Sequence, residues 1–347
     1  MNVDFIIIGQ GIAGTSFAFE LLKNNKTFVI VDKYDSNSPS RIALGVYNPL
    51  VLKWFTKAWN IDIQIDYFYE FYNQINKFLE LKTYHDISIY KFLKTVYTQN
   101  NWLTKSASSN RIKYMSSKLY SLKNKYLLNN KFYGIVKYSG RVDLTLLLES
   151  FRTYCINHNM LINDRIDYTD LIINKNSFQF QNIKSKKIVF CEGYSVMKNP
   201  FFSKLNLNPI KGELLTIFCR DLNLDKIIHL GGLLVPLGND YYKVGSTYNS
   251  IHISNKFCTE NGRLALIGIL DRILKCPYKI VNHAGAFRPS TLDRRALLGS
   301  HLNYKNMYIL NGLGTRGVLL APYLSKLLFN NIYSSCAIPD EVNINRL

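Results

Sequence analysis

A chain of 347 residues, 47% hydrophobic and 19% charged, carries enough apolar material for a large core and too little charge for a disordered polymer. No apolar run reaches the length of a membrane span, and the N-terminus already reads as a strand of the fold; a soluble protein that stays in the cytoplasm is expected. The six cysteines (Cys155, Cys191, Cys219, Cys258, Cys276, Cys336) form no CxxC pair, which argues against a metal site or a disulfide framework and for a reducing compartment.

The formal charge of +19 has two readings. One is a polyanionic partner such as RNA. The other is codon bias: 30 of the 43 basic residues are Lys, and Asn, Ile and Tyr are abundant as well.

In chain order, residues 5–8 are an unbroken apolar run, as a strand buried on both faces requires. The run ends in Gly9-Gln10-Gly11-Ile12-Ala13-Gly14. Residues 12–22 fit a helix, Phe28–Val31 a second buried strand, and Asp32 with Lys33 stands at its end. Gly9 suits the tight turn, Gly11 lets a pyrophosphate approach the backbone, and Gly14 lets the helix lie on the sheet. The helix start offers unpaired N–H groups to phosphates, and Asp32 can accept from an adenosine ribose. This predicts a dinucleotide site, for FAD or NAD rather than NADP.

Ser40-Arg41-Ile-Ala-Leu-Gly45 follows, a backbone-rich surface suited to a cofactor. Residues 56–82 carry aromatic and apolar positions at helical spacing, read as core. Between Asp86 and Asp143 no acidic residue occurs, while eleven Lys and Arg alternate with tyrosines. That segment, 87–142, is either a solvated basic face or a surface on which bases stack and phosphates are met.

Residues 132–142 read as a strand, and Asp143 as the cap of a helix to about His158. Runs at 161–166, 171–173, 178–180 and 187–190 read as a small β-meander ending at Gly193, a second point where backbone can meet the dinucleotide. From Pro209 the pattern is antiparallel β, over Ile210–Phe218, 227–230, 233–236 and Tyr241–Gly245, with a hairpin signal at Gly238-Asn-Asp240. A helix over 257–275 and a strand over 278–288 come next.

The C-terminal part runs Phe287-Arg288-Pro-Ser-Thr291-Leu-Asp293-Arg-Arg-Ala-Leu-Leu-Gly299. A strand at 307–310 then leads into Asn311-Gly312-Leu-Gly314-Thr315-Arg316-Gly317-Val318 and a helix to about Asn330. The glycine turn can set amides against a cofactor ring, with the helix end favouring negative charge there. Cofactor-like and β-rich blocks alternate along the chain. This predicts an α/β protein (α+β overall) of two interleaved domains. Residues 1–55, 139–200 and 285–347 would form the cofactor domain, and 56–138 with 201–284 the substrate domain.

These motifs, together and in this order, resemble the D-amino-acid oxidase-like family of FAD-dependent oxidoreductases, which includes glycine and sarcosine oxidases. The resemblance spans nearly the whole chain and is most specific at its two ends. It implies FAD extended across a Rossmann-like domain, with a large antiparallel sheet of the substrate domain over the flavin. It also implies an amine or amino-acid substrate oxidised at a C–N bond. In motif detail, Gly45-Val-Tyr47-Asn-Pro and Gly314-Thr315-Arg316-Gly317 are most similar to the flavin domain of the bifunctional tRNA wobble-uridine enzymes that make methylaminomethyl-2-thiouridine. That domain oxidises an N-substituted glycine carried on tRNA. The methyltransferase partner has no counterpart here, Ala296 stands where the family loop commonly has proline, and Gln10 lies within the glycine turn.

The expected chemistry is hydride transfer from the substrate Cα to flavin N5, giving an imine that water hydrolyses. Arg288 is the expected substrate residue, because a guanidinium can hold a carboxylate by two parallel hydrogen bonds; the competing role is an ion pair with an acid such as Asp293. Arg316 would contact substrate or a flavin carbonyl, or else cap its turn. Tyr47 and Tyr248 are candidate pocket walls, and Lys211 a candidate near the flavin that is not favoured. Three functions follow: an oxidoreductase of a small amino acid or N-substituted glycine, a tRNA-modifying flavoenzyme, or a non-catalytic FAD-binding protein.

Overall fold

The computed structural model describes residues 1–128, 131–205, 207–248 and 257–347. Its first unit is β1 (Asn2–Ile8), α1 (Ile12–Lys23) and β2 (Phe28–Val31). The unbroken apolar run of β1 is explained by its two partners and two covered faces. It pairs in parallel with β2 on one edge and with strand Ile183–Phe190 on the other. Phe5 and Ile7 enter one core, whereas Val3, Ile6 and Ile8 enter another.

This eight-stranded sheet continues beyond Ile183–Phe190 in an unusual way. The first half of that strand takes Ser177–Phe180 antiparallel, and its second half takes Met307–Asn311 in parallel. Both Ile8 and Ile309 therefore pair with Phe190, which brings the N-terminal and C-terminal glycine turns to one sheet end. The expected meander at 161–190 forms in part. Leu161–Ile162 instead extends the sheet in parallel beside β2, because the 144–157 helix before it carries the chain across to that edge.

A second sheet has seven strands in the order 279–288, 210–218, 241–245, 233–238, 227–229, 89–92 and 133–136. All neighbours are antiparallel except 227–229 with 89–92. The run at 132–142 is two strands rather than one. Tyr138 adopts φ +51°, so Tyr133–Val136 joins this sheet while Gly140–Val142 pairs with 46–47 and 84–86. The aromatic stretch is a helix, Ile61–Leu79. Its Phe68 packs against Tyr47 and Tyr72 at ring-centroid distances of 4.2 and 4.5 Å. Among the described residues no helix is long and apolar enough to cross a membrane.

Candidate active site

At the end of β1 the chain turns through Gly9, at φ +99°. A Cβ there would lie 2.6 Å from the Cys191 carbonyl oxygen, and one on Gly14 would lie 1.9 Å from the Gly9 oxygen, so only glycine permits this crossing of strand, turn and helix. The first turn of α1 has no intrahelical acceptors for its N–H groups. Ser40 Oγ accepts one of them, from Ile12 N at 3.1 Å, and sits where a Cβ on Gly11 would press. The Ala13 and Gly14 amides remain at the positive end of the helix. Asp32 Oδ1 accepts from Gln10 N (2.8 Å) and Oδ2 from Arg152 Nη1 (2.8 Å). A carboxylate has about four lone-pair sites, so a ribose diol can still be accepted. Burial raises the Asp32 pKa against the pull of Gln10 N and Arg152. Lys33 is exposed.

Gln10 organises the turn. Its side-chain oxygen accepts from Arg152 Nη1 (3.0 Å) and Arg41 Nη2 (3.4 Å), and its amide donates to Leu148 O (2.9 Å). Arg41 is buried, ion-paired to Glu149 at 2.8 Å, and stacks on Tyr34. Gly45 lies against strand Gly140–Val142, where Val142 N donates to its carbonyl. Gly193 turns at φ +57° beside Asn311, whose Nδ2 donates to the Gly193 carbonyl. Gly312 and Gly314 also have positive φ and lead into helix Gly317–Ser334, where Val318 is buried. The Arg316 guanidinium is committed to backbone: it donates to Asn48 O (3.0 Å) and Leu50 O (2.9 Å). Burial lowers its pKa. Thr315 precedes it in the same turn. The two glycine turns, the acid at Asp32 and the first-turn amides of α1 thus gather at one end of the parallel sheet, an arrangement that suits a dinucleotide.

The Arg288 guanidinium lies on one face of the seven-stranded sheet. Arg288 pairs with Ile210, and the side chain reaches over Gly212, where a Cβ would stand 1.9 Å from Nη2. It donates to Ser246 Oγ at 2.5 Å and stacks on the exposed Tyr248 ring at 4.8 Å. It has no carboxylate within ion-pair distance among the described residues; Asp293 pairs with Arg346 instead. Burial lowers the Arg288 pKa. Arg288 and Tyr248 are therefore together. Tyr47 is elsewhere, 1% exposed in the aromatic core, with its hydroxyl bonded to Asp86.

Strand alternation places Lys211 and Glu213 on the opposite sheet face from Gly212. There Glu213, fully buried, accepts from Lys211 (2.8 Å), from Thr259 N (2.9 Å) and Oγ1 (2.7 Å), and meets His283 Nε2 at 2.8 Å. Burial works to raise its pKa, but these donors outweigh burial and hold it low. Cys258 stands beside this group, its thiol within 4.8 Å of the Glu213 and His283 ligand atoms. Gly212, Ser246, Arg152 and the Glu213 hub were not singled out from sequence. The Lys211-Gly212-Glu213 triplet was the available signal, but the partner strand that gives Gly212 its meaning is over seventy residues away.

Two glycine turns brought to one end of a parallel sheet, beside a large antiparallel sheet, define an α/β protein of the dinucleotide-binding class. The chain belongs to the FAD dependent oxidoreductase (DAO) family, whose model matches residues 4–330, and FAD is its cofactor. Glycine oxidase from Bacillus cereus superposes with a TM-score of 0.81 at 18% identity, covering 97% of this chain and 99% of that one. Iminodiacetate oxidase from Chelativorans sp. BNC1 gives 0.79 at 16% identity, covering 97% and 98%. L-amino acid deaminase from Proteus vulgaris gives 0.78 at 13% identity, covering 100% and 94%. At these identities the likeness establishes the shared fold.

Proposed function

We infer that this protein oxidises the C–N bond of a small amino acid or N-substituted glycine. The observation that carries this reading is Arg288, a half-buried guanidinium with no acid partner among the described residues, held by Ser246 and Tyr248 on the sheet face. Bound FAD would supply a two-electron acceptor, and the residues of this chain would supply placement. In this reading Arg288 binds the substrate carboxylate by two parallel hydrogen bonds and so fixes the Cα–H direction. Ser246 and Tyr248 hold the guanidinium plane, and the aromatic ring shields it from water. The sheet face beside it presents Gly212, Leu214 and Gly245, with no side-chain base among them, which suits an amine that arrives neutral. The glycine oxidase and iminodiacetate oxidase folds above are compatible with such a substrate. An arginine without a carboxylate also speaks against a purely structural, non-catalytic role.

The test is anaerobic mixing of the FAD-loaded protein with glycine, sarcosine, iminodiacetate, and D- and L-amino acids, following flavin bleaching. Bleaching by one of these, lost in Arg288→Ala, is expected. Retained bleaching in that variant would overturn the role of Arg288. A tRNA bearing carboxymethylaminomethyl-uridine presents the same N-substituted glycine, and the acid-free segment 87–142 is the observation on its side; bleaching by that tRNA alone would replace the small-molecule reading.

A further inference from the structure

A cleft of about 430 Å³ opens at the other end of the same sheet face, between the start of helix Leu144–Asn157 and the hairpin of Leu233–Gly238 and Tyr241–Gly245. Two cations enter it. Arg141 is 8% exposed, and its Nη2 donates to Leu237 O at 3.0 Å. Its Nη1 stands 3.8 Å from Asp143 Oδ2, a loose approach, and its Nε is buried with no partner among the described residues. Lys243 Nζ has one long contact, to Ala43 O at 3.5 Å. The helix start adds the positive end of its dipole. The counter-charge is Asp143, two-fifths exposed at the rim and also occupied in capping Leu146 N. Two enclosed cations facing one rim carboxylate, with an orphaned Nε, are costly unless an anion completes them.

Position connects this cleft to Arg288. Lys243 pairs with Thr216, and the Arg288 guanidinium lies over Gly212. Residues 212, 214 and 216 face the same side, so the two cationic centres share a face. Their positions are offset by four residues along the strand, about 13 Å, with Lys243 one strand across.

We propose that the Arg141–Lys243 cleft is an anion subsite that takes a phosphate group on the far end of the substrate whose carboxylate binds Arg288. The ligand class is a phosphoester that also carries an amino-acid-like amine. This rests on the reading of Arg288 above, while the cleft itself is testable without turnover. Two cations and a helix dipole suit a dianion with oxygens in several directions better than a planar carboxylate.

The experiment is calorimetric titration of the FAD-loaded protein with inorganic phosphate, ribose 5-phosphate, ribose and glutarate, repeated on Arg141→Gln, Lys243→Gln and Arg288→Gln. Saturable binding of ribose 5-phosphate and phosphate is expected, with none of ribose. Binding should weaken at least tenfold in Arg141→Gln and in Lys243→Gln and be unchanged in Arg288→Gln. Lys243→Gln carries the test if Arg141→Gln fails to fold. Three results would each overturn the proposal: phosphate binding unaffected in both variants, glutarate binding tighter than either phosphate, or loss of FAD from Arg141→Gln, which would give the cleft to the cofactor. If the phosphate site is confirmed while no carboxylate amine bleaches the flavin, the error lies in the Arg288 reading and not in the cleft.

Discussion

Arg288 stands opposite Ile210, and its side chain reaches diagonally across the neighbouring strand so that the guanidinium occupies the volume a side chain at residue 212 would need. Gly212 has no positive φ, so the backbone would tolerate an alanine, and the nearest atoms its Cβ would meet are those of the Arg288 guanidinium. Gly212→Ala is therefore expected to move the guanidinium by about an ångström and lower kcat/KM for carboxylate substrates about 10²-fold. FAD content should be unchanged. Steady-state kinetics beside the flavin spectrum will check this; wild-type kcat/KM in Gly212→Ala would show that Arg288 does not act from this position.

Arg288→Lys should not rescue Arg288→Ala. A lysine ammonium is a point charge and cannot reproduce the planar fork against a carboxylate or the stack on Tyr248. Both variants should lose about 10²–10³ in kcat/KM, as expected for truncating one side of a partly buried charge pair. A lysine variant within a few-fold of wild type would mean that charge alone, not geometry, holds the substrate.

Arg316 joins the C-terminal glycine turn to the loop after Tyr47 by donating to the Asn48 and Leu50 carbonyls. Arg316→Met keeps the apolar stem but leaves both acceptors unpaired, at about 1–3 kcal/mol each. Denaturant unfolding should show a loss of about 2–6 kcal/mol, with weaker FAD retention because the loop and the helix start are no longer tied. Unchanged stability would mean that the carbonyls find water.

Asp32 and Arg152 form a buried pair, and Arg152 also donates to Asp32 O and Asn163 Oδ1. Removing the carboxylate in Asp32→Ala strands a buried guanidinium, for an expected loss of about 3–5 kcal/mol even in the apoprotein. Comparing apo and FAD-loaded thermal unfolding separates this from lost ribose contacts. A variant destabilised only when FAD is present would show that Arg152 needs no partner.

Glu192 accepts from Tyr168 and Asn199, and enclosure pushes its pKa up to about 7 against these two donors. The native state then binds the proton more tightly than the unfolded chain, whose carboxyl titrates near 4.5. Its stabilising contribution is complete below about pH 4.5 and is lost as pH rises through about 7. Glu192→Gln, which keeps a hydrogen bond to each neighbour, should flatten stability between pH 5 and about 8. An unaltered pH profile in that variant would assign the dependence to another group.

The glycine turn and acid proposed to hold FAD were legible in the sequence as a strand, turn, helix and strand, because their parts are local. Gly9, Gly11, Gly14 and Asp32 lie within about two dozen residues, and strand, turn and helix periods mark them without reference to the rest of the chain. Five strands of the large sheet, 210–218, 227–229, 233–238, 241–245 and 279–288, were legible too, whereas 89–92 was not singled out. Their pairing was not legible. Residues 133–136 and 140–142 separate into different sheets at Tyr138, a residue with φ +51° that no periodicity announces. Tyr47, placed in a glycine-rich motif, went to the aromatic core because Phe68 on a distant helix supplies its neighbour.

By itself the sequence determined the strand–glycine turn–helix unit at its start and a cofactor of the dinucleotide class, and it singled out Arg288 as a candidate. Only the tertiary structure decided that Arg288 stands over Gly212 without an acid, that Asp293 belongs to Arg346, and that Arg141 and Lys243 share a cleft. The reason is physical: local motifs act through backbone conformation set within a few residues, whereas the partner of a charge depends on which strands pair, and that is settled by burying the whole core at once.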